Sequence, residues 1–191
     1  MSTAPSAAVT HAARPIGAKI VATLAGALVV AIAAQFALPL PGTPVPFTFS
    51  PLAVLVVGAL LGPRLGAASL VTYLAMGAAG LPVFAPLGAP GLARLFGPTG
   101  GYLLAYPLAA AFAGWALRKA ERPTLLVTLA ACFGAMTIIF VGGLSQLLIM
   151  TGNVSAAFAF GLLPFLLADL AKVVLASLIA HRLLPLTRAL S

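Results

Sequence analysis

The chain has 191 residues, of which 62% are hydrophobic and only 6% charged, and its net charge is +8. A soluble domain carries about 25% charged residues, so this composition excludes an ordinary soluble fold and indicates a protein whose main solvent is lipid. The ten basic residues are scattered at the ends of apolar runs rather than gathered on an aromatic-rich face, which argues against a nucleic-acid partner.

The first elements along the chain are a tail, a helix and a proline-rich connection. Residues 1–15 are rich in Ala and Ser and predict a flexible cytoplasmic tail before one transmembrane domain at residues 16–188. The apolar run over residues 16–38 has no polar break, which favours a retained helix over a cleaved signal peptide. Four prolines in residues 39–46 exclude a helix there and predict an extended or re-entrant connection.

Five more apolar runs predict the rest of the bundle. Residues 47–61 and 65–79 are separated by Gly62-Pro63-Arg64, so they predict two short helices joined by a tight turn. The apolar, glycine-rich loop at residues 80–100 is expected to fold back onto the helices. Longer helices are predicted at residues 101–117, 125–150 and 158–184. The predicted fold is therefore an all-α membrane protein, a six-helix transmembrane bundle with a capping loop on its outer side.

The basic residues predict the orientation of this bundle. If both termini are cytoplasmic, eight of the ten basic residues lie on the cytoplasmic side, as the positive-inside rule requires. Arg94 then lies on the outer side, and Lys172 lies within a span. The eight cytoplasmic residues are Arg14, Lys19, Arg64, Arg118, Lys119, Arg122, Arg182 and Arg188.

One acid–base pair lies inside a predicted span. Asp169 and Lys172 are three residues apart, so both point to one face of the last helix. Asp169 is about ten residues into that helix, roughly 15 Å deep at 1.5 Å per residue. A charge at such a depth costs at least about 2.5–3.5 kcal/mol, and ionisable residues inside membranes usually mark a ligand, ion or proton path. A purely structural salt bridge is the alternative.

Arg94 is the candidate partner of this pair, because a guanidinium over the outer mouth of the helices is suited to bind a carboxylate. The three residues together offer two cations and one anion. They therefore predict a site for a ligand with an acidic tail and a polar ring whose N–H groups donate to Asp169.

Other functional classes find little support in the sequence. The chain has no His/Glu metal cluster, no nucleophile motif and no pair of acids, so we expect no catalytic residues, no metal and no cofactor. The first helix carries small residues at a spacing of four, which predicts a face for close docking of a partner helix. This predicted docking face consists of Ala22, Gly26, Ala27 and Ala31.

Several ordered motifs resemble the BioY family, the biotin-specific substrate-binding (S) components of energy-coupling factor (ECF) transporters. The resemblance covers residues 20–180, and the pair formed by the fourth and fifth motifs is its most specific part. The motifs are Thr43-Pro44-Val45-Pro46-Phe47-Thr48, Gly58-Ala59-Leu60-Leu61-Gly62-Pro63-Arg64, Tyr73-Leu74-Ala75-Met76-Gly77, Gly80-Leu81-Pro82-Val83-Phe84-Ala85, Gly97-Pro98-Thr99-Gly100-Gly101-Tyr102 and Asp169-Leu170-Ala171-Lys172.

The resemblance implies biotin uptake across the bacterial cytoplasmic membrane, with a membrane T component and two ABC ATPase subunits as partners. It implies that Arg94, Asp169 and Lys172 contact biotin. Tyr73, Phe84 and Tyr102 are weaker candidates, which would pack on the ligand's apolar ring. The chain departs from the family pattern in two places, at Phe49-Ser50 and at Pro86-Leu87-Gly88, and these departures imply that one contact with the ureido ring is lost or replaced.

Three alternatives stay open beside a biotin-binding component. A stand-alone secondary carrier for a small carboxylate vitamin would use Asp169 for proton coupling. A membrane scaffold would have no small ligand. An intramembrane enzyme is the hypothesis that the residues of the chain support least.

Overall fold

The computed structural model describes residues 15–189, with side chains through residue 187, and these residues are mostly helical. The prediction of an all-α membrane protein is confirmed, whereas the predicted tail lies, apart from Pro15, outside the described residues. The helices are α1 (Ile16–Gln35), α2 (Ser50–Ala78), α3 (Ala93–Phe96), α4 (Gly100–Lys119), α5 (Leu125–Thr151), α6 (Val154–Gly161) and α7 (Leu166–Ala189).

Helix α2 is folded into a hairpin at Gly62. Gly62 has φ 79° and ψ −179°, a backbone conformation essentially restricted to glycine, and Pro63 follows it. A Cβ placed on Gly66 would lie 3.0 Å from the Cα of Gly58, although eight residues of straight helix would separate them by about 12 Å. The two arms of α2, residues 50–61 and 63–78, therefore run antiparallel. The predicted pair of short helices joined at Gly62 is present.

The last span is broken, and here the prediction of one continuous helix at residues 158–184 is wrong. Helices α6 and α7 meet at an angle of 54°. Pro164 lies in the break, where it has no N–H to donate and where its ring would clash with the carbonyl group of residue 160 in a straight helix. Asp169 consequently lies in the first turn of α7 rather than deep within a straight helix.

The described residues contain up to five candidate membrane spans. Four helices, α1, α2, α4 and α5, are long and apolar enough to span a bilayer, and the bent pair α6–α7 adds a further span. The fold of α2 at Gly62 divides that helix into two short antiparallel arms, so the bundle has six apolar segments. Lys19, Arg64, Arg118, Lys119, Arg122 and Arg182 lie towards one end of this bundle, while Arg94 lies at the other end.

The end of the bundle that carries Arg94 is covered by two connections. Between α1 and α2, strands β1 (Ala37–Leu38) and β2 (Phe47–Thr48) pair in antiparallel fashion, so the first helix ends three residues earlier than predicted and the next begins three residues later. Between α2 and α4, residues 79–99 contain the short helix α3. We refer to these segments as the β-hairpin connection and the α3 loop.

Small residues allow the central helices to approach closely. A Cβ on Gly58 would lie 2.6 Å from the Cα of Ala110, so the first arm of α2 and α4 are in backbone contact there. The first arm is buried along much of its length, because Val54, Leu55 and Val57 are shielded by the neighbouring helices. This covered arm forms one wall of the candidate site.

Candidate functional site

Three helices begin around one cavity below the two covering connections. Ser50 at the start of α2, Thr99 before α4 and Phe165 before α7 all line it. No side chain caps the N-terminus of α2 or of α4. The first N–H groups of a helix lack intrahelical partners and carry partial positive charge. Three helix N-termini thus face a common space, an arrangement that favours an anionic group.

The buried ion pair lies on the wall of this cavity. Lys172 Nζ donates to Asp169 Oδ1 at 2.5 Å, and the two side chains are only 4% and 8% exposed. The Lys172 ammonium also lies 3.8 Å from the ring centroid of Phe47, in cation–π contact. The position of Asp169 near the start of α7 stabilises its negative charge through the helix dipole. Among the described residues no side-chain hydrogen bond other than that of Lys172 reaches this carboxylate, so its second oxygen can accept from a ligand N–H.

Arg94 lines the same cavity but is also bonded to its own loop. Its Nε donates to Ala89 O at 2.8 Å, one terminal nitrogen donates to Ala85 O at 2.6 Å, and the other donates to Leu87 O. Burial lowers the pKa of its guanidinium, which nevertheless stays charged near neutral pH. Within the described part of the chain three of its five N–H donors are used, which leaves two for a ligand. Arg94 therefore organises the α3 loop as well as contributing positive charge.

Aromatic side chains form the apolar part of the wall. The rings of Tyr73 and Phe84 meet edge to face with centroids 5.4 Å apart, and Tyr73 stacks on Tyr106 at 6.5 Å. Tyr102 lies on another side of the cavity, where its hydroxyl donates to Gly161 O at 2.7 Å. These rings offer flat apolar surfaces to a fused-ring ligand.

The carbonyl groups at the end of α6 accept hydrogen bonds from side chains outside this helix. Phe160 O would bond to the N–H of residue 164 in a continuous helix, but residue 164 is proline. The Thr43 hydroxyl donates to Phe160 O instead, at 2.6 Å. The Tyr102 hydroxyl likewise serves Gly161 O. The break that positions Asp169 is thus held by hydroxyls from the β-hairpin connection and from α4.

The charge of the site matches a monoanion with a polar ring. Arg94 and Lys172 carry two positive charges and Asp169 one negative charge, so the cavity has a formal charge of +1 before the helix N-termini are counted. The cavity measures about 60 Å³, which is room for about four to six water molecules. Its size is that of a small-molecule site.

The family model for the BioY family matches residues 6–189, nearly the whole chain. The chain belongs to the BioY family. A biotin transporter BioY of Thermotoga maritima is 37% identical over 144 residues, covering 75% of this chain and 83% of that protein. A probable biotin transporter BioY of Pyrococcus horikoshii is 36% identical over 140 residues, covering 73% and 81%. Biotin transporter BioY2 of Lactococcus lactis is 32% identical over 166 residues, covering 87% and 88%.

A solved structure shares the fold of this BioY chain. The S-component for biotin from an ECF-type ABC transporter superposes with a TM-score of 0.79, at 23% identity, covering 90% of this chain and 94% of that one. At this identity the likeness establishes the fold alone.

The six ligand residues predicted from the sequence all line the same cavity of this BioY chain: Tyr73, Phe84, Arg94, Tyr102, Asp169 and Lys172. Their role in binding stays a prediction. Sequence reasoning missed Tyr106 and Thr99, which line the same cavity, and it read Ser50 only as a departure from the family pattern. The sequence did contain a signal for Tyr106. It follows Tyr102 by four residues and therefore shares its helix face.

The predicted docking face on α1 lies largely inside the BioY chain. Gly26, Ala27 and Ala31 are buried, and a Cβ on Gly26 would meet the Ser69 side chain of α2. Their small size therefore serves the contact between α1 and α2. Docking of a partner by these residues and by Ala22 stays a prediction that the single chain does not test.

Proposed function

We propose that this protein captures biotin and carries it across the bacterial cytoplasmic membrane, as the substrate-binding S component of an ECF-type ABC transporter. The observation that carries the proposal is the convergence of Arg94, Asp169 and Lys172 on one cavity within a membrane bundle. Membership of the BioY family and the names of its relatives support the same assignment.

The chemistry of biotin complements the cavity. Biotin is a monoanion at neutral pH, with one valerate carboxylate, and its ureido ring carries two N–H donors. We infer that the free oxygen of Asp169 accepts from the ureido ring, while Arg94 or Lys172 receives the carboxylate. Tyr73, Phe84 and Tyr102 would pack on the apolar fused rings.

A chain of this kind needs partners to drive uptake. We propose a membrane T component and two ABC ATPase subunits, as the family resemblance implies. The single domain at residues 16–188 would then be the biotin-binding unit, with both termini in the cytoplasm. The asymmetric distribution of Lys and Arg described above supports this orientation.

Equilibrium binding of labelled biotin to the detergent-solubilised protein tests the proposed function. Asp169→Asn should weaken binding at least about tenfold, because it removes a charge-assisted acceptor worth about 1.5–3 kcal/mol. Glu121→Gln is a matched control, since Glu121 is an exposed acid away from the cavity. Absence of biotin binding by the wild-type protein would reject the proposal. Uptake by the chain alone in liposomes under a pH gradient would indicate a secondary carrier.

The orientation has its own test. Ser155→Cys at the exposed start of α6 and Ala120→Cys in the connection between α4 and α5 place cysteines at opposite ends of the bundle, and the native Cys132 is buried. An impermeant thiol reagent applied to intact cells should label the first variant and not the second. The reverse labelling would reject cytoplasmic termini.

A further inference from the structure

A second cavity of about 180 Å³ lies beside the first, between the β-hairpin connection and the α3 loop. Pro39, Leu40 and Leu87 are among the residues that line only this outer cavity. The partition between the two cavities consists of residues that line both: Val45, Pro46, Arg94 and Thr99. A ligand that passes from the outer to the inner cavity must displace some part of this partition.

The parts of the partition are held with different strength. Arg94 makes three hydrogen bonds to carbonyl groups of its own loop. Thr99 immediately precedes α4, whose first residue, Gly100, contacts the backbone of Leu95 closely. Val45 and Pro46 lie instead in the irregular stretch between the two short strands. This stretch is the part of the partition that can move without breaking a helix or several hydrogen bonds.

Thr43 ties this stretch to the broken last span. Its hydroxyl donates to Phe160 O at 2.6 Å and accepts from the backbone N–H of Val45 at 3.1 Å. Phe160 O is available because Pro164 leaves it without its helical donor. One hydroxyl thus links the movable part of the partition to the helix pair that carries Asp169.

We propose that Thr43 is a positioning residue that controls the passage of ligand between the two cavities, an inference that rests on the proposed function. Neither Thr43 nor Phe160 lines the inner cavity, so the bond between them involves no group that contacts a ligand held there. The bond therefore restrains Val45 and Pro46 before a ligand enters as well as after. Its removal should lower the barrier in both directions and leave the equilibrium affinity nearly unchanged.

The test compares the rate constants of biotin association and dissociation in Thr43→Val, Thr43→Ser and wild-type protein. Thr43→Val keeps the side-chain shape and loses the hydroxyl, whereas Thr43→Ser keeps the hydroxyl. Loss of one hydrogen bond should raise both rate constants of the Val variant together, by about two- to tenfold. The Ser variant should stay close to wild type. Thr128→Val is the control, because the buried Thr128 hydroxyl donates to Thr124 O, at the start of α5 and away from both cavities, at 3.0 Å.

Two kinetic outcomes would overturn the proposal. Unchanged association and dissociation in Thr43→Val would show that the hydroxyl does not restrain the passage. A rise in dissociation alone would show that Thr43 supports the bound ligand rather than the passage. A general loss of stability would lower affinity and melting temperature without accelerating association, and this result also counts against the proposal.

Hydrogen exchange without biotin separates this inference from the proposed function. The amide of Val45 should exchange faster in Thr43→Val than in wild type, and Thr43→Ser should restore its protection. Equal exchange rates in all three proteins would refute the restraint of this segment by the Thr43 hydroxyl. If the wild-type protein bound no biotin, the proposed function would fail, and the exchange comparison would still decide whether Thr43 holds this segment.

Discussion

Removal of Lys172 separates the structural role of the ion pair from its role in binding. Lys172→Met keeps a long, flexible side chain and leaves Asp169 as an uncompensated buried charge. The two side chains are 4% and 8% exposed and their charged atoms lie 2.5 Å apart, so solvent screens the pair poorly. Removal of one partner from a buried pair costs about 3–5 kcal/mol. The lost cation–π contact with Phe47 adds about 0.5–2 kcal/mol.

The double variant Asp169→Leu/Lys172→Met supplies the decisive comparison. Replacement of both charges by apolar side chains of similar size is often neutral or stabilising, so its stability should return to within about 1 kcal/mol of wild type. Biotin binding should not return with it, because the ligand loses both a negatively charged acceptor and a positively charged donor. Stability would thus be regained without function.

Thermal unfolding in one detergent, together with labelled-biotin binding, provides the measurement. At about 2–4 °C per kcal/mol for a chain of this size, a total loss of about 3.5–7 kcal/mol should make Lys172→Met melt about 7–28 °C below wild type. The double variant should melt near wild type and bind biotin at least about tenfold more weakly. A single variant that melts like wild type, or a double variant as unstable as the single one, would refute the reasoning about the buried pair.

Three further substitutions test other parts of the structure. Gly62→Ala should lower the melting temperature, because its backbone conformation costs about 1–3 kcal/mol for a residue with a Cβ and that Cβ would meet the Arg118 guanidinium. Gly143→Ala should weaken biotin binding measured at equilibrium, because the new methyl group would displace the ring of Tyr102 from the cavity wall. Arg94→Lys should weaken binding and speed hydrogen exchange in the α3 loop, since one ammonium cannot replace three directed donors.

Matched controls exist for each of the three. Gly17→Ala adds a methyl group where nothing lies within 4 Å, so it should melt like wild type. Gly134→Ala would crowd Phe112 instead of the cavity, so any loss of stability there should leave affinity unchanged. Arg122→Lys exchanges an exposed basic residue. Equal effects of a test variant and its control would contradict the corresponding explanation.

The sequence predicted the passes and the cluster of charged residues, because both depend on strong signals. Long apolar runs locate membrane helices, and Gly62-Pro63 interrupts one of them. Asp169 and Lys172 stand out because charges are rare within such runs. The cavity lining predicted for Tyr73, Phe84 and Tyr102 came from motif resemblance rather than from physical reasoning.

Other features of the structure cannot be predicted from a single sequence. The break at Pro164 is hidden because apolar residues continue on both sides and proline is tolerated within membrane helices. Strands of two residues have no measurable period. The bonds of Arg94 and Thr43 go to backbone carbonyl groups, which every residue possesses, so residue identity does not reveal the acceptor. The burial of the small residues of α1 depends on which neighbour the helix meets.

The hairpin at Gly62 also determines how far into the bilayer a captured molecule sits. The first arm of α2 has twelve residues, 50–61, and is roughly 18 Å long, whereas the hydrocarbon layer is about 30 Å thick. Its upper end, at Ser50, therefore stops well short of the far surface and leaves the cavity within the depth of the membrane. A ligand bound in the cavity would therefore already lie within the thickness of the bilayer. Transport would have to move it only across the remaining part of the membrane.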